Sequence, residues 1–187
     1  MSTLKIGICG WGNVATGLYK IAKKNIESIK KQGNLDIEIV VIGARRDNPN
    51  CKPENVIIER DILNVVNHDI DVMVELIGGV DVAKDLILKA LKKKKHVVTA
   101  NKAVIYNHGD EIFACAKENG VKVLFESSVC AGTPIIKLLT EELSANKISK
   151  ISGMLNGTSN FILSNMEDGA EFQSTLEPVS YTHLRAH

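Results

Sequence analysis

The feature that most constrains this chain is a glycine-rich turn close to its start, Gly10-Trp11-Gly12-Asn13-Val14-Ala15. An apolar run at residues 4–9 precedes the turn and is short enough to form a buried strand, whereas residues 14–24 have helical spacing. A G-x-G-x-x-G/A pattern becomes a specific indication of dinucleotide binding when it joins a strand to a helix. Gly10 permits the tight turn, Gly12 lets a pyrophosphate approach the backbone, and Ala15 lets the helix pack closely.

The helix after this turn would present unpaired N–H groups and the positive end of its dipole to the phosphates. The alternative is that the glycines only shape a surface turn. We predict that the whole turn binds the cofactor, through Gly10, Trp11, Gly12, Asn13, Val14 and Ala15.

The composition and the order of apolar segments favour a parallel sheet. Hydrophobic residues make up 44% of the 187 residues and aromatic ones only 4%, so Ile, Val and Leu must fill the core. Such residues suit strands that are buried on both faces. Strands are predicted at residues 4–9, 37–44, 56–58, 71–77, 96–99 and 121–125, and helical segments at residues 14–31, 61–67, 83–91 and 111–119. This alternation predicts a Rossmann-like, doubly wound α/β fold.

The pattern changes after residue 125. We predict a first domain at residues 1–132 that binds NAD(P), and the start of a second, α+β domain for substrate binding and dimerisation at residues 133–177. In the second domain, helices are expected at residues 135–143 and 159–166, with a strand at residues 148–155. The second domain is predicted to be incomplete.

Charge and cysteine content exclude several classes of protein. A formal net charge of +1 gives no indication of nucleic acid or an anionic membrane surface as a partner. No apolar stretch is long enough to span a membrane, and the N-terminus lacks a signal-peptide pattern. The cysteines are far apart and show no C-x-x-C spacing, so a cytoplasmic location is the expectation; they are Cys9, Cys51, Cys115 and Cys130.

The end of the second predicted strand bears on cofactor preference. An NAD-specific site usually has an acidic residue there, whereas this chain has Arg45 and Arg46, followed by Asp47. Two guanidinium groups can bind a 2′-phosphate in bidentate fashion. The sequence therefore favours NADP, with NAD still possible, and the alternative is a pair of exposed surface arginines.

Other polar or glycine-rich groups also follow predicted strands, at residues 75–79, at Asn101-Lys102 and at Glu126. In open α/β sheets the ligand lies beyond the carboxyl ends of the strands, so we predict that Gly78, Asn101 and Lys102 also contact the cofactor. Lys102 is the candidate catalytic residue, because an ammonium group there could bind substrate or polarise a carbonyl. The alternative is an ordinary surface lysine.

Five motifs in order resemble the homoserine dehydrogenase family. They are the turn at residues 10–15, Glu75-Leu76-Ile77-Gly78-Gly79, Val97-Val98-Thr99-Ala100-Asn101-Lys102, Phe125-Glu126-Ser127-Ser128-Val129-Cys130-Ala131-Gly132-Thr133-Pro134-Ile135-Ile136, and Leu155-Asn156-Gly157-Thr158-Ser159-Asn160-Phe161-Ile162-Leu163. The resemblance covers residues 4 to about 177.

The resemblance implies NAD(P)-dependent interconversion of L-homoserine and L-aspartate 4-semialdehyde, in threonine, methionine and isoleucine biosynthesis. It places Lys102 close to the nicotinamide and the substrate. It also implies a structural monovalent cation, usually sodium, bound by the Glu126 carboxylate and by the carbonyls of Val129, Ala131 and Thr133. The alternative for Glu126 is a carboxylate that caps a turn. The full-length form is expected to be a homodimer.

The resemblance ends before the part that carries the family's substrate-binding carboxylates and its second lysine. Residues 178–187 match nothing expected of the family and are interpreted as a foreign tail. We therefore expect this chain to be inactive alone. Two other functions remain open: another small NAD(P)-dependent oxidoreductase, such as a semialdehyde or amino-acid dehydrogenase, and a non-catalytic Rossmann nucleotide sensor.

Overall fold

The structure is a computed structural model that describes residues 2–154 and 156–176. The chain divides into two compact units, of which the first ends at Ala131 and the second begins at Gly132. The domain boundary predicted from the sequence lies one residue later. Among the described residues, none of the helices is both long and apolar enough to cross a membrane.

The first unit is built on one parallel sheet of six strands in the order β3-β2-β1-β4-β5-β6. The strands are β1 (Thr3–Cys9), β2 (Asp36–Gly43), β3 (Ile57–Glu59), β4 (Val72–Glu75), β5 (His96–Thr99) and β6 (Val123–Leu124). The strand order reverses between β1 and β4, which is the switch point where doubly wound folds bind ligands. The predicted fold class is confirmed.

The strands pack because their apolar side chains are buried on both faces of the sheet, as expected for parallel strands. One core cluster contains Met73, Val97 and Leu86, all fully buried. The other contains Ile8 and Ile42. The two clusters hold the sheet against its helices.

The helices of the first unit are α1 (Asn13–Lys24), α2 (Ile26–Gly33), α3 (Asp81–Lys92), α4 (Lys102–Asn119) and α5 (Glu126–Val129), with a 3-10 helix at Ile62–Asn67. The prediction of one helix over residues 14–31 is wrong, because the backbone leaves the helical region at Asn25, with φ −108° and ψ 15°. Asparagine side chains compete with helical hydrogen bonds, which favours a break there.

Two predicted boundaries at the carboxyl edge also differ from the structure. Helix α4 begins at Lys102, nine residues before its predicted start at residue 111, and has a kink at His108. The Asn101 side chain accepts a hydrogen bond from the Val104 N–H and caps the helix, and this N-cap signal is visible in the sequence. Strand β4 ends at Glu75 instead of residue 77. The chain turns there, because the Ile77 N–H donates to the Glu75 carboxylate.

The described part of the second unit contains α6 (Ile135–Lys137), a π-helical segment at Leu138–Glu142, and α7 (Gly157–Glu167). The predicted strand at residues 148–155 is wrong for residues 148–154, which have no regular structure, and Leu155 lies outside the described residues. The described part of this unit contains no strand, and a lone strand could not satisfy its backbone groups. Helix α7 begins two residues earlier than predicted, capped by Asn156.

Candidate functional site

The glycine turn at residues 10–15 begins at the end of β1, where the chain lies between the ends of β2 and β4. The Gly10 N–H donates to the Gly43 carbonyl over 2.9 Å, and the Leu76 N–H donates to the Cys9 carbonyl over 2.8 Å. Gly10 has φ +104°, and a Cβ at this position would lie 2.6 Å from the Leu76 oxygen. Only glycine fits such a conformation at such a distance, so the turn is held at the switch point of the sheet.

The next glycine faces open space. Gly12 has φ −86° and ψ −165°, and a Cβ added to it would meet nothing within 4 Å. No side chain caps the N-terminus of α1, and its first turn contains no acidic residue. The N–H groups of this turn therefore keep their capacity to bind an anion. The turn thus fits the pyrophosphate of a dinucleotide, since it combines open space at Gly12, unpaired backbone N–H donors and the positive end of the α1 dipole.

The other residues of the turn divide between solvent and core. The Val14 side chain is 54% exposed, whereas Ala15 is 1% exposed. The Trp11 side chain is also buried, and its indole N–H donates to the Cys51 carbonyl over 3.1 Å. Any contact from Trp11 to a ligand would therefore have to come from its backbone, which the sequence could not indicate.

The loop after β2 holds three charged residues predicted from the sequence and is anchored by a fourth. Arg45, Arg46 and Asp47 are all exposed. Arg60, which directly follows β3, donates to the Ala44 carbonyl over 3.1 Å and to the Asp47 carboxylate over 2.7 Å. Sequence analysis missed Arg60, although its position after a predicted strand was a usable signal.

A buried carboxylate lies at the end of β4. Glu75 is fully buried, and its Oε1 accepts from the N–H groups of Ile77 at 2.9 Å and Gly78 at 3.4 Å. Both glycines of this loop have positive φ, 70° at Gly78 and 75° at Gly79. Glu75 therefore fixes the loop whose Leu76 carbonyl lies against the turn at Gly10.

Hydrogen bonds connect this carboxylate to the end of β5. The Thr99 hydroxyl donates to Glu75 Oε2 over 2.5 Å and accepts from the Asn101 N–H over 3.0 Å. The Asn101 side chain donates to the Gly79 carbonyl over 2.6 Å, and the Ser128 hydroxyl donates to the Thr99 carbonyl over 2.8 Å. The structure thus links the loop at residues 76–79 to the start of α4, a connection that the sequence did not reveal.

Lys102 is exposed and is the first residue of α4. An ammonium group at a helix N-terminus gains nothing from the helix dipole, so helix stability does not account for its presence there. The position lies directly after Asn101, which is bonded to the loop at residues 76–79. The Lys102 ammonium is therefore available at the same edge of the sheet as the glycine turn.

Three of the four predicted cation ligands lie in the first unit: Glu126 and Val129 are the first and last residues of α5, and Ala131 is the last residue of the unit. Thr133 belongs to the second unit. Carboxylate and carbonyl oxygens are hard donors, the type that suits a sodium-like ion. Among residues 2–154 and 156–176, no group of three or more His, Cys, Asp or Glu side chains could hold a metal ion.

The strand order, the glycine turn at the switch point and the uncapped start of α1 together define a dinucleotide-binding α/β protein. Comparison with known families identifies the particular kind. The profile of the homoserine dehydrogenase NAD-binding domain matches residues 10–126, and that of homoserine dehydrogenase itself matches residues 134–181. The chain belongs to the homoserine dehydrogenase family.

Individual relatives agree with this assignment. The chain is 49% identical to the homoserine dehydrogenase of Pseudomonas aeruginosa over 178 residues and 40% identical to that of Neisseria gonorrhoeae over 181 residues. These matches cover 94% and 95% of this chain but 41% of each relative. The chain therefore spans about two fifths of the length of these relatives.

Solved structures give the same result. A homoserine dehydrogenase from Thiobacillus denitrificans superposes with a TM-score of 0.85 at 40% identity, covering 96% of this chain and 42% of that one. A hyperthermophilic archaeal homoserine dehydrogenase in complex with NADPH superposes with a TM-score of 0.77 at 26% identity, covering 96% and 61%. The family match reaches residue 181, whereas the predicted foreign tail begins at residue 178; both lie outside the described residues.

Proposed function

We propose that this chain carries the nucleotide-binding part of an NAD(P)-dependent homoserine dehydrogenase, which interconverts L-homoserine and L-aspartate 4-semialdehyde. The observation that supports this most strongly is the hydrogen-bonded connection from Glu75 through Thr99 to Asn101. It ties the loop beside the glycine turn to the helix that begins with Lys102. A phosphate-binding turn and a free cation on one rigid edge suit hydride exchange with a small alcohol.

In the proposed mechanism the bound nicotinamide supplies the hydride acceptor for the alcohol carbon. The N–H groups at the start of α1 hold the pyrophosphate, and Gly12 leaves room for it. The Lys102 ammonium binds the substrate close to the reacting carbon and stabilises negative charge that develops on its oxygen. Gly78 and Asn101 border the space between these groups and contact the cofactor.

We propose a preference for NADP over NAD. Arg45 and Arg46 are exposed directly after β2, where the adenosine ribose of a bound dinucleotide would lie. Asp47, the acidic residue directly after these arginines, is engaged by Arg60. An acidic side chain that is paired in this way is a poor partner for a ribose 2′-hydroxyl, whereas the two free guanidinium groups suit a 2′-phosphate.

We propose that a monovalent cation, sodium by its chemistry, binds the carboxylate of Glu126 and the carbonyls of Val129, Ala131 and Thr133. Carbonyl groups at the end of a helix lack helical partners, and Val129 ends α5. A site of this kind places no demand on the side chains that supply carbonyl oxygens.

We propose that the complete protein is a cytoplasmic homodimer that associates through the second unit. Cys9, Cys51 and Cys115 are buried thiols outside any disulfide, which suits a reducing compartment. In the described part of the second unit, Phe161 and Leu163 on α7 are 45% and 60% exposed. Exposed apolar side chains on one helix are typical of an association surface.

Two assays test the proposed function. The 187-residue chain should bind NADP(H) yet convert no homoserine, because it spans only about two fifths of the length of its relatives and the family's substrate-binding carboxylates are expected in the remainder. NADPH formation by this chain at the rate of an intact relative would contradict the account. In the longer protein, Lys102→Ala should reduce kcat strongly, whereas a nucleotide sensor would keep its cofactor response.

A further inference from the structure

Glu75 is a fully buried carboxylate without a cation beside it. Within the described ranges, none of the ion pairs includes Glu75. Buried carboxylates are normally paired with a cation or bound to a metal, since an isolated charge is costly to remove from water. This residue therefore calls for an explanation beyond packing.

The groups that hydrogen-bond to the Glu75 carboxylate are all donors. Oε1 accepts from two backbone N–H groups, those of Ile77 and Gly78. Oε2 accepts from the Thr99 hydroxyl, whose oxygen already accepts the Asn101 N–H, so the hydroxyl hydrogen is directed to Glu75. Both carboxylate oxygens thus accept hydrogen bonds, which is the role of a carboxylate in such a network.

The negative charge acts on its surroundings. Cys9 lies opposite Glu75 in the register of β1 and β4. Burial raises the pKa of the Cys9 thiol, and the Glu75 carboxylate raises that pKa further.

The position of Glu75 relates this field to the cofactor. A doubly wound sheet consists of two mononucleotide-binding halves that meet at the switch point. The glycine turn after β1 and the arginines after β2 belong to the half for the adenosine side, so β4 to β6 form the half for the nicotinamide side. Glu75 ends β4, the first strand of that second half. An oxidised nicotinamide ring carries a positive charge, and the reduced ring is neutral.

We propose that the buried Glu75 carboxylate makes this site favour the oxidised cofactor over the reduced one. This inference rests on the proposed function, because it requires a nicotinamide at the carboxyl edge. Glu75 acts on the bound ring through its charge and holds the loop at residues 76–79 through its hydrogen bonds. The first effect distinguishes between the two redox forms, and the second does not.

Calorimetric titration of the 187-residue chain with NADP+ and with NADPH separates these effects. Glu75→Gln removes the charge at nearly constant volume, and it should weaken NADP+ binding about tenfold more than NADPH binding. Thr99→Val is the matched control, because it removes a hydrogen bond to Glu75 but keeps the carboxylate. This control should weaken both forms by the same factor.

An equal loss of affinity for NADP+ and for NADPH in Glu75→Gln would overturn the proposal and leave the proposed function intact. Absence of binding by either form to the wild-type chain would instead overturn the proposed function. Circular dichroism should verify that the variant folds, and Glu75→Met, which fills the same volume without charge, provides a second test. If neither variant folds, the carboxylate is a determinant of folding, and the proposal fails.

Discussion

The Leu76 carbonyl oxygen occupies the space into which any side chain on Gly10 would extend, because a Cβ on Gly10 would lie 2.6 Å from it. Leu76 belongs to the loop at residues 76–79, which Glu75 holds in place because its carboxylate accepts a hydrogen bond from the Ile77 N–H. The glycine turn and the loop after β4 are therefore one packed unit. Changes at the two glycines of the turn should consequently have different effects.

Gly10→Ala should destabilise the fold itself. The methyl group would collide with backbone atoms, and φ +104° is unfavourable for any residue with a Cβ. Strain and overpacking together should lower the free energy of unfolding by about 3 kcal/mol. Urea denaturation measures this change, and a variant as stable as the wild type would show that the loop can move away at little cost.

Gly12→Val should leave the fold intact and abolish cofactor binding. A Cβ at this position would meet no atom within 4 Å, and the backbone angles of Gly12 are allowed for any residue. It would fill the space that the pyrophosphate needs. Titration with NADPH should show no binding, while the denaturation midpoint stays close to that of the wild type; Gly10→Ala serves as the contrasting control. Normal affinity would mean that phosphates bind elsewhere.

Replacing Arg45 and Arg46 together by alanine should reduce the preference for NADP. Loss of charge-assisted contacts to the 2′-phosphate should cost about 1.5–3 kcal/mol in NADP binding and little in NAD binding. Arg60→Ala is a useful comparison, because it keeps both exposed arginines but frees Asp47 to bind a ribose 2′-hydroxyl, so it should raise NAD binding without removing the 2′-phosphate contacts. An equal loss of affinity for NADP and NAD in the double variant would contradict a role in 2′-phosphate binding.

Much of this site could be predicted from the sequence because its main motif is local. The strand, the glycine turn and the helix follow one another, so periodicity and glycine positions indicate them without tertiary information. The ends of β2, β4 and β5 were also located to within two residues, which placed Arg45, Gly78 and Asn101 at one edge.

Other features depend on contacts between distant parts of the chain. The Trp11 side chain is buried by its bond to the Cys51 carbonyl, 40 residues away, and Arg60 reaches the loop after β2 only because β3 pairs with β2. The burial of Glu75 likewise depends on β5 supplying Thr99. Local sequence patterns do not indicate which distant residues pair with each other. The direction of the side chains at the carboxyl edge of the sheet therefore could not be inferred.

The acid sensitivity of the first unit should depend on Glu59, at the end of β3. Hydrogen bonds from Asn64, from the Asp61 N–H and from His68 lower the pKa of Glu59 from 4.5 to about 2. A lowered pKa in the folded state stabilises the fold above pH 4.5, and this contribution is lost as the pH falls from 4.5 to about 2.

Glu59→Gln should therefore reduce the dependence of the unfolding free energy on pH within that window. Chemical denaturation at several pH values between 4.5 and about 2 measures this slope. Some dependence of the unfolding free energy on pH should persist in this variant, because a hydrogen bond from Lys5 also lowers the pKa of Asp69. An unchanged slope in Glu59→Gln would indicate that Glu59 ionises alike in the folded and unfolded chains.

The central claim is that the carboxyl edge of this sheet binds a nicotinamide dinucleotide, with the phosphates on the glycine turn. The most direct test is to record backbone amide NMR shifts of the 187-residue chain during titration with NADP+. We predict that the largest changes occur at residues 10–15, 45–47, 76–79 and 101–102. Saturable changes concentrated elsewhere, or none at all, would contradict the account.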